Sequence, residues 1–378
     1  MHKEQCESQR EVEADEAAPL STSPSFTLEQ LKEDLLPHSR HDVSAIRGLP
    51  ETTTTRQRAS ISAQSLDQDE YLPGKLSSAH NYGDDSALSD QKTALYLAYG
   101  SNLASETFLG MRGIKPLSQL NVVVPELRLT FDLPGVPYIE PCFAGTHFRR
   151  SPSEDEISDL PDASEKHTLL QGQDRDQDRY KGPLIGVVYE VTLTDYAKII
   201  ATEGGGSGYK DIIITCYPFP KTYDPADPIP ECPDTQPVKA HTLLSPVAMK
   251  ETMQFQINSI TSASLESRRA QPSARYLKLI TTGAAEHNLP SAYREYLAQV
   301  QPYHITSVRQ RIGLVVFVFT WAPLLLLTLK LSRIFARPDG RSPAWVSRFR
   351  DFVTTGMWSS YDNTFVHIFG DGENTVER

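Results

Sequence analysis

Tyr96-Leu97-Ala98-Tyr99-Gly100-Ser101-Asn102-Leu103 joins an apolar run to a polar turn, and the fold of this chain turns on how that junction is read. Ala94–Tyr99 has the pattern of a short buried strand, and Ser105–Met111 behind the turn suits a short helix. Gly and Asn both tolerate left-handed backbone angles, so several amides of such a turn can point into one hollow and hold an anion. Ser101 and Asn102 add side-chain donors at the same place. Gly-Ser-Asn is also common turn punctuation, so the chemistry of the turn alone leaves a structural and a ligand-binding reading open.

Composition sets the outer limits. At 378 residues the chain has room for two ordinary domains, but a hydrophobic content of 39% assigns much of its length to unpacked segments. A formal net charge of −11, with no basic stripe before the C-terminal region, excludes nucleic acid as the expected partner. Cys6, Cys142, Cys216 and Cys232 form no C-x-x-C pair, so neither a disulfide framework nor a zinc site is expected, and a reducing compartment fits. The polar N-terminus MHKEQCESQREVEADEAAPL has no apolar core and does not read as a secretory signal.

Residues 1–92 read as a disordered tail, with one short amphipathic piece at Phe26–Leu36 and order beginning near Thr93. The Arg-Ala-Ser-Ile run at Arg58–Ile61 has the form of a phosphorylation motif, but such motifs arise often by chance and the structural reading is preferred. Val122–Val124 and Glu126–Phe131 alternate as half-buried strands do, and Pro141–Thr146 leads out of the domain. The acidic stretch 149–181 reads as a disordered insertion; it lacks the spacing and the glycine of a calcium loop. Ile212–Tyr217 and Val238–Leu244 read as further strands, separated by a Pro-rich disordered insertion at 218–237.

Pro183–Val191 has the strongest strand pattern in the chain, and a helix should follow with Thr194 or Asp195 as its N-cap. Tyr196, Ile199 and Ile200 are its apolar positions, and the next position on that face is Glu203. The helix then runs into Gly204-Gly205-Gly206-Ser207-Gly208-Tyr209. A carboxyl on an apolar face is partly desolvated, which raises its pKa toward the range useful for proton transfer. A frayed helix end in solvent would look the same in sequence, so the residues alone leave Glu203 undecided.

Three separated motifs resemble the gamma-glutamylcyclotransferase family, over roughly half the chain and in the right order. YLAYGSNL is similar to the family's opening strand and loop; Glu203-Gly204 followed by Tyr209 is similar to its catalytic strand–helix unit; and Ser273-x-x-Tyr276 leading to Gly283-Ala284-x-Glu286-x-Asn288-Leu289-Pro290 is similar to its C-terminal helices. Asn288 suits a C-terminal cap and Pro290 the opening of the next helix, which ends at Pro302; Ser262–Arg269 is a further amphipathic piece. The resemblance implies an α+β fold, a small mixed β-barrel or curled sheet with flanking helices, over residues 93–305. It implies Glu203 as the catalytic residue, with Tyr99, Gly100, Ser101, Asn102, Leu103, Tyr209 and Tyr276 binding substrate and no metal or cofactor. The implied reaction cyclises a gamma-glutamyl small molecule to 5-oxoproline and expels an amine. The chain departs from the family at His241-Thr242, where some relatives carry a Tyr. Trimming of glutathione adducts in secondary metabolism, as fungal relatives do, and a non-catalytic membrane adaptor are the alternatives.

Gly313–Leu329 is uncharged and about the length that spans a bilayer, which places a transmembrane helix at 312–331 and a tail at 332–378. Within the tail Trp345, Phe349, Phe352 and Val353 recur at helical spacing, as in an interfacial helix. The expectation is a single-pass membrane protein with a cytosolic catalytic domain. The basic residues after the span (Lys330, Arg333, Arg337, Arg341, Arg348, Arg350) argue for a cytoplasmic tail as well, and a re-entrant or in-plane segment broken at Pro323 would reconcile the two.

Overall fold

The computed structural model describes residues 46–62, 93–149, 182–202, 210–244, 270–335, 337 and 342–376. Phe26–Leu36, residues 150–181, Glu203 to Tyr209 and Ser262–Arg269 lie outside them.

In chain order the elements are α1 (Thr54–Ser62), β1 (Thr93–Ala98), β2 (Ser118–Val124), β3 (Leu127–Val136), β4 (Glu140–Phe148), β5 (Leu184–Thr192), α2 (Leu193–Thr202), β6 (Lys210–Pro218) and β7 (Val238–Leu244). Helices α3 (Ala274–Glu286), α4 (Ser291–Gln299), α5 (Val308–Ile334) and α6 (Ala344–Ser360) follow. Five strands close into a barrel in the order β1-β5-β2-β6-β7, and β3 with β4 makes a separate two-stranded sheet. All barrel neighbours are antiparallel except β7 and β1, which meet in parallel at His241 and Tyr96. The expected α+β barrel with flanking helices is therefore the observed fold.

The strands follow from their residues. β5 is buried at every position from Leu184 to Tyr189, because neighbours cover both of its faces, and such strands read as continuous apolar runs. Tyr196, Ile199 and Ile200 of α2 are buried as their spacing requires. Thr192 Oγ1 accepts from the Asp195 amide at 3.1 Å, so the capping oxygen comes earlier than Thr194 or Asp195. Ser273 caps α3 by accepting from the Tyr276 amide, and Asn288 ends that region with a left-handed φ of 49°.

Three sequence expectations are corrected. Order does not begin at Thr93. Ile46 is fully buried, Glu51 bridges Gln119 and Arg56 reaches from α1 to within 3.3 Å of Glu190 on β5. Ser60 is also fully buried, its hydroxyl accepting from the Lys239 amide at 3.0 Å, so the Arg-Ala-Ser-Ile motif holds α1 to β7. This segment docks through hydrogen bonds and two isolated apolar residues, Ile46 and Leu49, a pattern that hydrophobic periodicity does not register. Second, the stretch expected as a disordered insertion at 218–237 is laid against the barrel: Phe219 and Ile229 pack on its core, and the Pro225 carbonyl accepts from the Ser291 amide at 2.7 Å. Its prolines restrict the unfolded chain, which lowers the entropic cost of holding so irregular a path. Third, Pro141–Thr146 belongs to β4, paired with β3 across a bulge between Thr130 and Leu133.

Truncating Ile46 to Ala should destabilise the protein by about 2–4 kcal/mol through the lost apolar contacts and the cavity left behind. Chemical unfolding of the full chain measures it, and an unchanged midpoint would mean that the segment does not dock.

Candidate active site

The turn after β1 forms a short 3₁₀ segment at Ser101–Leu103. Gly100 has φ −107°, so the left-handed backbone expected from its composition is absent. Glycine is favoured there by proximity: a Cβ at position 100 would lie 3.2 Å from the Tyr276 hydroxyl oxygen. That hydroxyl accepts from the Ala144 amide of β4 at 3.1 Å, and the Tyr276 ring meets Phe143 edge-on at 5.0 Å. The loop and Tyr276, about 175 residues apart in the chain, thus share one surface.

The loop residues divide by direction. Asn102 is buried and its side-chain amide donates to the Tyr96 hydroxyl at 2.7 Å, so it braces the turn from within. Leu103 is fully buried and Tyr99 nearly so. Gly100 and Ser101 are the half-buried members of the turn, and Ser101 is the one with a side-chain donor. Tyr96 in turn lies near Tyr196 of α2, and Tyr196 lies 5.2 Å from the ring of His241, which is buried where β7 closes on β1. His241 is therefore in the barrel wall beneath α2.

Glu203 and Tyr209 are outside the described residues, but the end of α2 is placed. Thr202, the residue before Glu203, is hydrogen-bonded through its hydroxyl to the Arg112 guanidinium. Arg112 closes the π-helical turn Glu106–Met111 that follows the loop. That contact ties the end of α2 to the turn that follows the loop.

Gly283 and Glu286, which enter the sequence reading only as members of the C-terminal motif with no role of their own, and His287, which it does not single out, hold the loop in place. The last turn of α3 lies directly on its back: a Cβ on Gly283 would be 2.4 Å from the Leu103 carbonyl carbon and 2.5 Å from the Ala104 nitrogen. Glu286 accepts from the Ser105 amide at 2.7 Å and from its hydroxyl at 2.9 Å. A carboxylate in the last turn of a helix opposes the helix dipole, a mismatch that marks Glu286 in the sequence beside its place in the C-terminal motif. His287 Nε2 lies 3.1 Å from the Leu103 carbonyl and 2.6 Å from the Tyr189 hydroxyl. Burial pulls the His287 pKa down to about 4, against a smaller upward pull from the Leu103 hydrogen bond, and burial raises Tyr189.

The chain is similar to known proteins over most of its length. The chain is 32% identical over 279 residues to the gamma-glutamyl cyclotransferase gliK of Aspergillus fumigatus, covering 74% of this chain and 88% of that protein. It is 29% identical to the gamma-glutamyl cyclotransferase aclK of Aspergillus oryzae, covering 74% of this chain and 89% of that one. The AclK C-terminal domain family matches residues 307–368. A solved structure titled gamma-glutamyl cyclotransferase aligns at 17% identity and a TM-score of 0.35, over 57% of this chain and 92% of its own. The chain belongs to the gamma-glutamyl cyclotransferase family.

The buried imidazole makes stability depend on pH. Below pH 6.5 the unfolded chain takes up a proton that the folded protein refuses until about pH 4, so stability falls as pH drops through that window. The full loss is roughly 3 kcal/mol. Replacing His287 with Gln should flatten this slope in urea unfolding measured across the window; an equal slope in both proteins would assign it to other groups.

Proposed function

We propose that the protein cyclises a gamma-glutamyl group, releasing 5-oxoproline and the attached amine. The observation that supports this most is the meeting of the Tyr99–Leu103 loop with Tyr276, while the helix that leads into Glu203 is tied at its end to Arg112, beyond the loop. In this reading the free α-amine of the substrate attacks its own γ-carbonyl. The C–N bond of the five-membered ring forms as the bond to the departing amine breaks. Ring closure is intramolecular, so a site that holds the folded-back conformer supplies much of the acceleration. The loop amides bind the α-carboxylate and polarise the γ-carbonyl, and the Ser101 hydroxyl is the side-chain donor at hand. Glu203 takes a proton from the attacking ammonium and returns it to the leaving amine. Tyr209 and Tyr276 line the pocket, while Asn102 and Leu103 act by shaping the loop. No cofactor enters the scheme.

A second substrate class is a glutathione conjugate, a reading favoured by the sequence Gly204-Gly205-Gly206-Ser207-Gly208 after Glu203, which carries little side-chain bulk. The same reading puts the protein at a membrane, with the barrel on the cytosolic side and α5 as the element that meets lipid, because α5 is long and apolar enough to cross one.

Glu203→Gln should lower 5-oxoproline release from gamma-glutamyl-alanine or glutathione by about 10²–10⁴-fold. Tyr276→Phe, which keeps the ring and removes the hydroxyl at Gly100, should raise KM more than it lowers kcat. Equal release from wild type and Glu203→Gln would defeat the proposal. Running a plain dipeptide beside a glutathione conjugate in the same assay separates the two substrate classes.

A further inference from the structure

Helix α5 runs antiparallel to α6 and to the helical turns that continue it to Phe369. Gly313 near the start of α5 lies against Phe369, which ends the helical path beyond α6: a Cβ on Gly313 would be 2.5 Å from the Phe369 Cβ. Further along, the Phe317 ring meets Phe365 at 5.0 Å, a Cβ on Gly356 would be 3.2 Å from the Trp321 ring, and Phe335 meets Trp345 at 5.1 Å. As the α5 number rises, the partner's number falls. The chain therefore goes out along α5 and comes back along α6.

It comes back to the barrel's own side. The Gly372 carbonyl accepts from the Tyr138 amide at 2.8 Å, the Glu373 carbonyl accepts from the Gln271 amide at 2.9 Å, and Thr375 Oγ1 accepts from the His304 amide at 2.9 Å. A single crossing by α5 would leave this tail across the bilayer from the residues that it bonds.

The two faces of the helix pair differ. On α5, Val308, Ile312, Val315, Val316, Phe319, Leu326 and Leu327 are exposed at helical spacing, Phe319 to 79%. The outward positions of α6 include Arg348, Asp351, Thr355 and Ser359, which suit water, with the exposed Trp345 and Phe352 among them as the apolar positions that reach the interface. Each charged side chain at a bilayer centre costs about 2.5–3.5 kcal/mol on insertion scales, so α6 is a poor second span. At the far end of the pair Lys330, Arg337 and Arg348 are exposed, a basic cluster in a chain whose net charge is −11.

We infer that α5 and α6 form a monotopic anchor. The outer stripe of α5 sinks into one leaflet, the polar side of α6 stays in water, the far-end basic cluster meets anionic headgroups, and the barrel and the C-terminal tail share one side of the membrane. This rests on the membrane reading above and is independent of the cyclotransferase chemistry.

The test uses the full chain with Cys6 and Cys232 replaced by Ser, mixed with phosphatidylcholine vesicles with and without phosphatidylserine. The protein should float with the vesicles, more strongly with phosphatidylserine and less at high salt. Phe319→Glu with Leu326→Glu should cut binding by at least about tenfold while leaving 5-oxoproline release unchanged. In vesicles loaded from outside, both a C-terminal tag and an Arg337→Cys thiol should be accessible to protease or impermeant maleimide without lysis. A protected tag beside a digestible barrel would establish a single crossing and overturn the inference. Labelling at Arg337→Cys only after lysis would establish two crossings and overturn it equally. Failure to float, with self-association that Phe319→Glu abolishes, would assign the stripe to a second copy of the chain.

Discussion

The contact on which the rest depends is the one between the last turn of α3 and the back of the Tyr99–Leu103 loop. It is made at backbone distance, because Gly283 leaves no side chain between the helix and Leu103. Glu286 and His287 then take up the polar groups of Leu103 and Ser105 that would otherwise be buried without partners. Unmet groups of this kind cost about 1–3 kcal/mol each, so the loop cannot shift without several losses at once. A turn that contains glycine is held as firmly as the strand before it, which a site built on amides requires.

How much of this was legible in sequence depends on the kind of signal. β5, β7 and the buried face of α2 were readable because one residue type recurs at a fixed period. The barrel's closure was not, since the pairing of β7 with β1 rests on Tyr96 and His241, which are far apart in the chain and without a joint pattern. Arg56 and Ser60 were missed for a related reason. Their docking is a matter of single hydrogen bonds to Thr93, Glu190 and Lys239, and polar residues so spaced look like solvated tail.

The loop was visible through its residues, but what each one does was not. Gly100 suggested backbone freedom and serves close approach instead. Asn102 suggested a donor to substrate and turns inward to Tyr96. Tyr276 came from resemblance alone, as a lone Tyr at helical spacing is usually core. Its hydroxyl takes on meaning only once β4 supplies the Ala144 amide and Gly100 supplies the space.

The β3–β4 sheet has two allegiances. Near its middle Ala144 serves Tyr276, and at its tip Tyr138 stands with φ 66° between Phe317 and Tyr361 of the helix pair, its hydroxyl donating to the Gly370 carbonyl. Val136, Ile139 and Ile305 pack into that same second core. The chain therefore has no clean seam between a detachable barrel and its C-terminal attachment. Removing either the hairpin or the helices would leave the other's aromatic residues bare.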